Sequence, residues 1–281
     1  MVTAWVSHIQ IHPIKSLDPT TLQQAGILSS GALEFDRTWA MFDANGKFVN
    51  GKRHAAVHRL RSVVDLADRK LSICAGHEPM FTDPAFSLDG DREPIGRWLS
   101  GHFGFPVELR ENSEAGFPDD TASPGPTIIS VATLAEIARW FSLPFEQVRR
   151  RFRTNIEIDG VPAFWEDRLF GTADTAVRFT IGAAAFEGVN PCQRCVVPLR
   201  DPLTGVEDKT FVRRFTELRK QSLPSWSERS RFNHFYRVAV NTRPAADQGG
   251  KIIRKGDPLR ILENSLLQPD RAAMHSCSSR I

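Results

Sequence analysis

Trp5, Ile9 and Ile11 alternate with polar neighbours in WVSHIQI, the period-two pattern of a half-buried strand. Phe35, Arg37, Trp39 and Met41 alternate in the same way in FDRTWAM, which predicts a second strand. Ala44-Asn45-Gly46 then Lys47-Phe48-Val49 reads as a hairpin, because Asn-Gly accepts the positive φ of a tight turn. A second hairpin is predicted in SVVDLADRKLSICA, turning at Asp68-Arg69. Between Asp91 and Phe103 the period changes. Ile95, Trp98, Leu99 and Phe103 fall on one helical face, and Pro94 sits in the first turns, where its missing N–H does no harm. Val107 to Leu109 reads as one more strand.

Glu111 to Pro126 is rich in Ser, Gly, Pro and Asp, which is loop chemistry and the best boundary in the chain. Beyond it, Leu134, Ile137, Trp140 and Phe141 predict one helix; Phe145, Val148 and Phe152, after Pro144, predict another. Strands are then expected at Asn155 to Ile158, Ala176 to Ile181, Ala184 to Val189 and Phe235 to Val240, with a closing pair, KII and LRIL, separated by Gly256-Asp257. Short strands at uneven spacing with a few helices predict an α+β, β-rich barrel or sandwich with helical insertions. The division is residues 1–112, 113–264, and a loosely held polar tail over 265–281.

Composition narrows the function classes. The 281 residues are 41% hydrophobic and 25% charged, ordinary for a globular chain with one large domain or two modest ones. A net charge of +3 is too mild to argue for nucleic acid or a membrane surface. No apolar run is long enough to span a bilayer, and the first residues lack a charged start followed by an apolar block. Four cysteines cannot make a disulfide framework, so the reducing cytoplasm is the expected compartment.

Four local features could carry chemistry. Pro191-Cys192-Gln193-Arg194-Cys195 is a CxxC pair. It reads as half of a zinc site, as a redox pair, as one thiolate for a soft metal with an adjacent Arg lowering its pKa, or as buried structural cysteines. Arg149-Arg150-Arg151-Phe152-Arg153 is by default a solvated helix face, but Arg153 at the helix-to-strand passage can aim inward, with Asn155 adding an amide. Lys15-Ser16, after His12-Pro13-Ile14, presents an ammonium and a hydroxyl at a strand tip. Arg37, alternating with Phe35 and Trp39, points to their apolar face and needs an anionic or acceptor partner.

Together, in order, these pieces resemble the MOSC family, the molybdenum-cofactor-binding fold of the molybdenum cofactor sulfurase C-termini and the amidoxime-reducing proteins. HPIKS, EFDRTWAMFDANGKFVNGKR, SPGPTIISVATL, RFRTNIEI, PCQRCVVPLRDPLTG and KIIRKGDPLRIL each look like a family segment, over roughly Val2 to Leu262. The resemblance implies a MOSC-type β-barrel with helical insertions behind a smaller strand-rich N-terminal domain that contributes cofactor contacts. It implies molybdenum cofactor (Mo-molybdopterin), with Cys195 as the catalytic thiolate ligand of the metal and Cys192 structural or supporting. Lys15, Ser16, Arg37, Ser123, Arg153, Asn155 and Arg194 fall on positions that hold the pterin and its phosphate. Phe235 or Tyr236 would line the substrate side.

The activity implied is reduction of N-hydroxylated small molecules by a molybdenum-dependent oxidoreductase. The alternative is a carrier of the cofactor or of sulfur without reductase activity. Neither the plant-type iron–sulfur spacing nor a GxGxxG strand–helix unit occurs, so electrons would come from a separate redox protein. A cytoplasmic monomer is expected, with no nucleic-acid or membrane partner.

Overall fold

The computed structural model describes residues 3–76, 85–173 and 175–266. In chain order the elements are β1 (Ala4–Ile11), β2 (Thr20–Leu22), β3 (Gln24–Gly26), β4 (Trp39–Asp43), β5 (Leu60–Asp65), β6 (Lys70–Ala75), β7 (Ala85–Ser87), α1 (Arg92–Phe103) and β8 (Val107–Glu111). They continue with β9 (Ile128–Ser130), α2 (Val131–Phe141), α3 (Phe145–Phe152), β10 (Ile156–Asp159), β11 (Thr175–Ile181), β12 (Ala184–Gln193), α4 (Phe211–Gln221), β13 (Arg237–Pro244), β14 (Ile252–Arg254) and β15 (Pro258–Leu266).

Seven strands close a barrel in the order β1-β10-β9-β13-β12-β11-β15 and back to β1. Inward residues alternate with outward ones. Phe179 and Ile181 on β11 and Ala184 and Phe186 on β12 are buried, whereas Arg178 and Glu187 face outward and pair. They join Val6, Ile9, Ile128, Ile156, Ile158 and Val240 in one core, as the pleat requires. Gly188 is obligatory on β12, because a Cβ there would lie 1.6 Å from the Leu169 carbonyl oxygen. Residues 1–112 are therefore not spatially apart from the barrel: their first strand is one of its staves.

The rest of the first segment has its own core. Trp39, Met41, Leu71, Ile73, Ile95, Leu99 and Leu109 pack together from β4, β6, α1 and β8. The β5–β6 hairpin forms as its sequence predicts, with Arg69 at φ 50° in the turn. Gly46 supplies the turn after β4, at φ 69°, while Asp43 Oδ1 accepts from the Asn45 and Lys47 backbone N–H groups. A third core, under α2, α3 and α4, holds Trp140, Phe152, Phe211 and Phe215.

Three expectations are corrected. The strand read over 35–41 begins only at Trp39, because Phe35 (φ 64°) and Arg37 (φ 54°) have left-handed backbones that break the alternation. KII and LRIL do not pair with each other: β14 joins β3, and β15 joins β11 and β1. The helix α4 was not foreseen, because its buried face includes Arg219, spaced with Phe211 and Phe215 at i, i+4, i+8. The predicted tail lies outside the described residues beyond 266, and β15 extends two residues past the boundary drawn at 264. Among the described residues no helix is long and apolar enough to cross a membrane.

Candidate functional site

A cavity of about 740 Å³ opens where the first segment, the 118–127 loop, the end of α3 and the end of β12 meet. Eleven lysine and arginine side chains line it, against three aspartates. The lining thus carries a larger positive balance than the whole chain's +3. Such focusing, in a recess, is what an anionic ligand needs. Cys192, Cys195, Lys15, Ser16, Arg37, Ser123, Arg153 and Arg194 all line it, so seven of the eight residues singled out from sequence converge there with Cys192.

Backbone geometry explains how distant segments reach one point. Ser16 (φ 75°), Arg37 (φ 54°) and Arg153 (φ 52°) are three of the non-glycine residues held at positive φ, a sparsely populated conformation that gathers at functional sites. Arg153 is the left-handed cap of α3, its N–H donating to the Arg149 carbonyl at 3.0 Å. The helix therefore ends by turning this side chain into the cavity, where Nη2 donates to the Leu17 carbonyl at 2.7 Å. Burial, then the nearby Arg37 charge, lowers the Arg153 guanidinium to about 10, which leaves it charged at neutral pH. Burial is the largest influence on the Arg37 guanidinium and opposes its charge, but Asp36, whose Oδ2 accepts from Nη1 at 2.6 Å, together with Asp119 and Cys192 raises its pKa overall. Lys15 Nζ donates to the Phe117 carbonyl at 2.7 Å and to Asp119 Oδ1 at 2.9 Å. Burial lowers its pKa, with Asp119 acting the other way. Burial would raise the Asp119 carboxyl, but Lys15, Arg37 and Lys52 together hold it well below the usual carboxylate range. His58, also lining the cavity, is lowered to about 4, chiefly by burial, although its contact with the Gly51 carbonyl opposes the shift; the charges of Arg153, Arg200 and Arg61 lower it further.

The cysteine pair sits where β12 leaves the barrel. A β-bulge between Pro191 and Gln193 takes Cys192 out of the ladder with β13, which re-aims its side chain. Arg194 Nη1 donates to Cys192 Sγ at 3.1 Å, and Nη2 donates to the Phe152 carbonyl at 2.5 Å. The guanidinium of Arg194 therefore serves the first sulfur, not the adjacent Cys195 as its sequence position suggested. The Cys195 carbonyl accepts from Tyr236 Oη at 3.2 Å. Neither Tyr236 nor Phe235 is among the lining residues; Tyr236 is buried with the helical core and Phe235 packs on the barrel core.

Asn155 is the site residue the structure places elsewhere. It does not line the cavity. Its Oδ1 accepts from Thr127 N–H and Oγ1, both at 3.1 Å, and its Nδ2 donates to the Gln10 carbonyl at 3.3 Å. The amide ties β1 to the segments entering β9 and β10. The basic run also divides its labour. Arg149 pairs with the buried Glu157 at 2.6 Å, and Arg151 donates to the Pro198 and Arg200 carbonyls at 2.8 Å, fixing the turn after Cys195. Reading the run as a solvated face fails because its helix lies between the core and the cavity. Lys52, Arg61, His58, Asp119 and Arg237 were missed. Arg237, inside the apolar FYRVAV pattern, was the one with a legible signal.

Among the described residues no three or more His, Cys, Asp or Glu side chains converge as a metal site, so the zinc reading of CxxC finds no second half there. The cavity does fit a phosphate-bearing pterin. Ser123 Oγ and the Nε atoms of Arg194 and Arg237 are buried with no hydrogen-bond partner and belong to lining residues. They are donors awaiting acceptors. Family models match on both sides of the loop: "MOSC N-terminal beta barrel domain" over residues 3–100 and "MOSC domain" over residues 127–260. The chain belongs to the MOSC-domain family. Relatives of this MOSC protein include the molybdenum cofactor sulfurase of Caenorhabditis elegans, 29% identical over 127 residues, covering 44% of this chain and 16% of that protein. The molybdenum cofactor sulfurases of Bos taurus and Homo sapiens are each 23% identical, covering 78% and 76% of this chain and 29% and 28% of theirs. The chain thus spans under a third of the length of these relatives.

Proposed function

We propose that this MOSC protein binds molybdenum cofactor in the cationic cavity and reduces N-hydroxylated compounds with electrons from a separate redox protein. One observation carries the reading: two thiols and a ring of guanidinium and ammonium groups, drawn from distant segments, share one cavity. Cys195 would supply a thiolate to the soft metal, and Lys15, Arg37, Arg153 and Arg194 would hold the anionic pterin phosphate. Ser16 and Ser123 would add neutral hydroxyls. When bound, the cofactor supplies two-electron redox chemistry and a place for the oxygen removed. The overall change takes an N–OH group, two electrons and two protons to N–H and water. Arg37 and Arg153 keep their charge across the neutral range. A monomer in the cytoplasm is part of the same reading.

The test is metal and pterin content of the purified protein, followed by turnover of an amidoxime with a chemically reduced viologen as donor. Turnover proportional to molybdenum supports the reductase. Bound molybdenum without turnover supports the second reading, a carrier of cofactor or sulfur, which the sulfurase relatives favour. That reading predicts a persulfide on Cys195, visible as a 32 Da mass increase of about one sulfur atom after incubation with a persulfide donor.

A further inference from the structure

We propose that a lobe of the cavity walled by Arg231, Asn233, Arg237 and Gln193 binds a carboxylate carried by the substrate, which selects anionic N-hydroxylated compounds over neutral ones. The inference rests on the reductase reading only for the N-hydroxyl end of that substrate. All four residues line the cavity, and none belongs to the set that would hold the pterin phosphate. Cys192 stands at the junction, since its charge acts on Arg37 and on Arg237 alike. Two guanidiniums are fastened to β12 two residues apart: Arg231 Nη2 donates to the Val189 carbonyl at 3.1 Å, and Arg237 Nη1 to the Pro191 carbonyl at 3.0 Å. Burial first, and then the Arg231 charge, works against the charge on Arg237. Among the described residues no carboxylate pairs with Arg237. Its Nη2 meets only neutral oxygens, Asn233 Oδ1 at 3.0 Å and Gln193 Oε1 at 3.4 Å. These bonds orient both amides. Each gives its oxygen to Arg237 and so keeps its NH2 group for another acceptor, and both side chains are exposed at the cavity wall. The lobe therefore offers a half-buried cation flanked by neutral N–H donors. One negative charge on two coplanar oxygens suits that set, through charge-assisted hydrogen bonds. A neutral substrate would leave the guanidinium facing dipoles alone, and a site built in this way discriminates against a ligand that lacks the matching group.

The test reads binding first. Benzamidoxime and its 3- and 4-carboxy derivatives are titrated calorimetrically into the purified protein at fixed ionic strength, with no electron donor present, so that nothing turns over. The better carboxylated isomer should bind about tenfold more tightly than benzamidoxime, the factor expected for hydrogen bonds to a charged group. Arg237→Gln should bring the two to within about twofold of each other. Asn233→Asp, at an exposed position, places a carboxylate of the chain's own beside Arg237 and should remove the preference in the same way. Arg243→Gln deletes one positive charge elsewhere on β13, where Arg243 pairs with Glu187 at 2.8 Å, and should alter the preference by less than about twofold. Circular dichroism checks that each variant is folded. A parent without the preference overturns the proposal. So does a preference that survives Arg237→Gln, or that survives Asn233→Asp should Arg237→Gln not fold. An equal loss in Arg243→Gln reduces the effect to net charge and also overturns it. Turnover with reduced viologen then separates the two readings. Tighter carboxylate binding without turnover supports the subsite and removes the reductase, whereas turnover without discrimination supports the reductase and removes the subsite.

Discussion

Glu166 gives this protein a pH-dependent stability that one substitution isolates. The residue lies in the short helical turn Trp165–Leu169, which packs against β9, β11, β12 and β13 and so supports the strand that carries Cys192 and leads to Cys195. Its side chain is completely buried. Burial first, then the adjacent Asp167 charge, pushes the carboxyl from 4.5 up to about 7. The folded protein therefore holds this proton where the unfolded chain releases it. For a raised acid, stability is present in full below the unfolded pKa and is lost as pH rises towards the folded one. Integrating between those two values, the loss between pH 5 and pH 8 is about 2.5 kcal/mol. Glu166→Gln keeps the shape but cannot ionise. Its amide oxygen can still accept from Thr133 Oγ1, which donates to Glu166 Oε2 at 3.0 Å. Any offset from placing an amide N–H at the unpartnered Oε1 position is independent of pH and cancels. Urea unfolding of parent and variant at both pH values is the assay. The variant should gain about 2.5 kcal/mol relative to the parent on going from pH 5 to pH 8. The buried His12 and His58, which titrate in the opposite sense, contribute equally to both proteins. A stability difference that does not change with pH would mean that Glu166 is not a neutral acid in the folded state, and the reasoning would fail.

The remaining predictions concern the site. Cys195→Ser should abolish N–O reduction and loosen molybdenum, whereas Cys192→Ser should retain measurable activity; metal analysis beside turnover checks this, and equal loss in both would refute the ligand assignment. Arg153→Ala should lower cofactor retention on gel filtration by leaving phosphate charge unpaired in a buried place. Asn155→Ala should instead lower folding stability by about 3 kcal/mol, because it strands the buried Gln10 carbonyl and the half-buried Thr127 N–H. A fall in cofactor affinity without that stability loss would return Asn155 to the binding site.

The order of elements was legible from the chain because period-two and period-3.6 patterns are local. The β5–β6 hairpin, α1, α2 and α3 each stand where hydrophobic spacing and turn residues put them. The family segments were also readable, since each is a short run whose residues are fixed whatever they later touch. Strand partnership was not readable: KII and LRIL are close in sequence yet pair with β3 on one side and with β11 and β1 on the other. Nor could spacing show that Arg37 reaches the cavity through a left-handed backbone, or that Arg194 turns to Cys192. Asn155 and Asp119 make the point from opposite sides. An amide next to the cation run is used up by backbone groups 28 and 145 positions away in sequence, and a loop aspartate enters a site by bridging lysines 104 and 67 positions away. Hydrophobic periodicity determines which face of an element is buried. Only barrel closure, which brings distant segments within a few ångströms, decides which charges must neutralise one another.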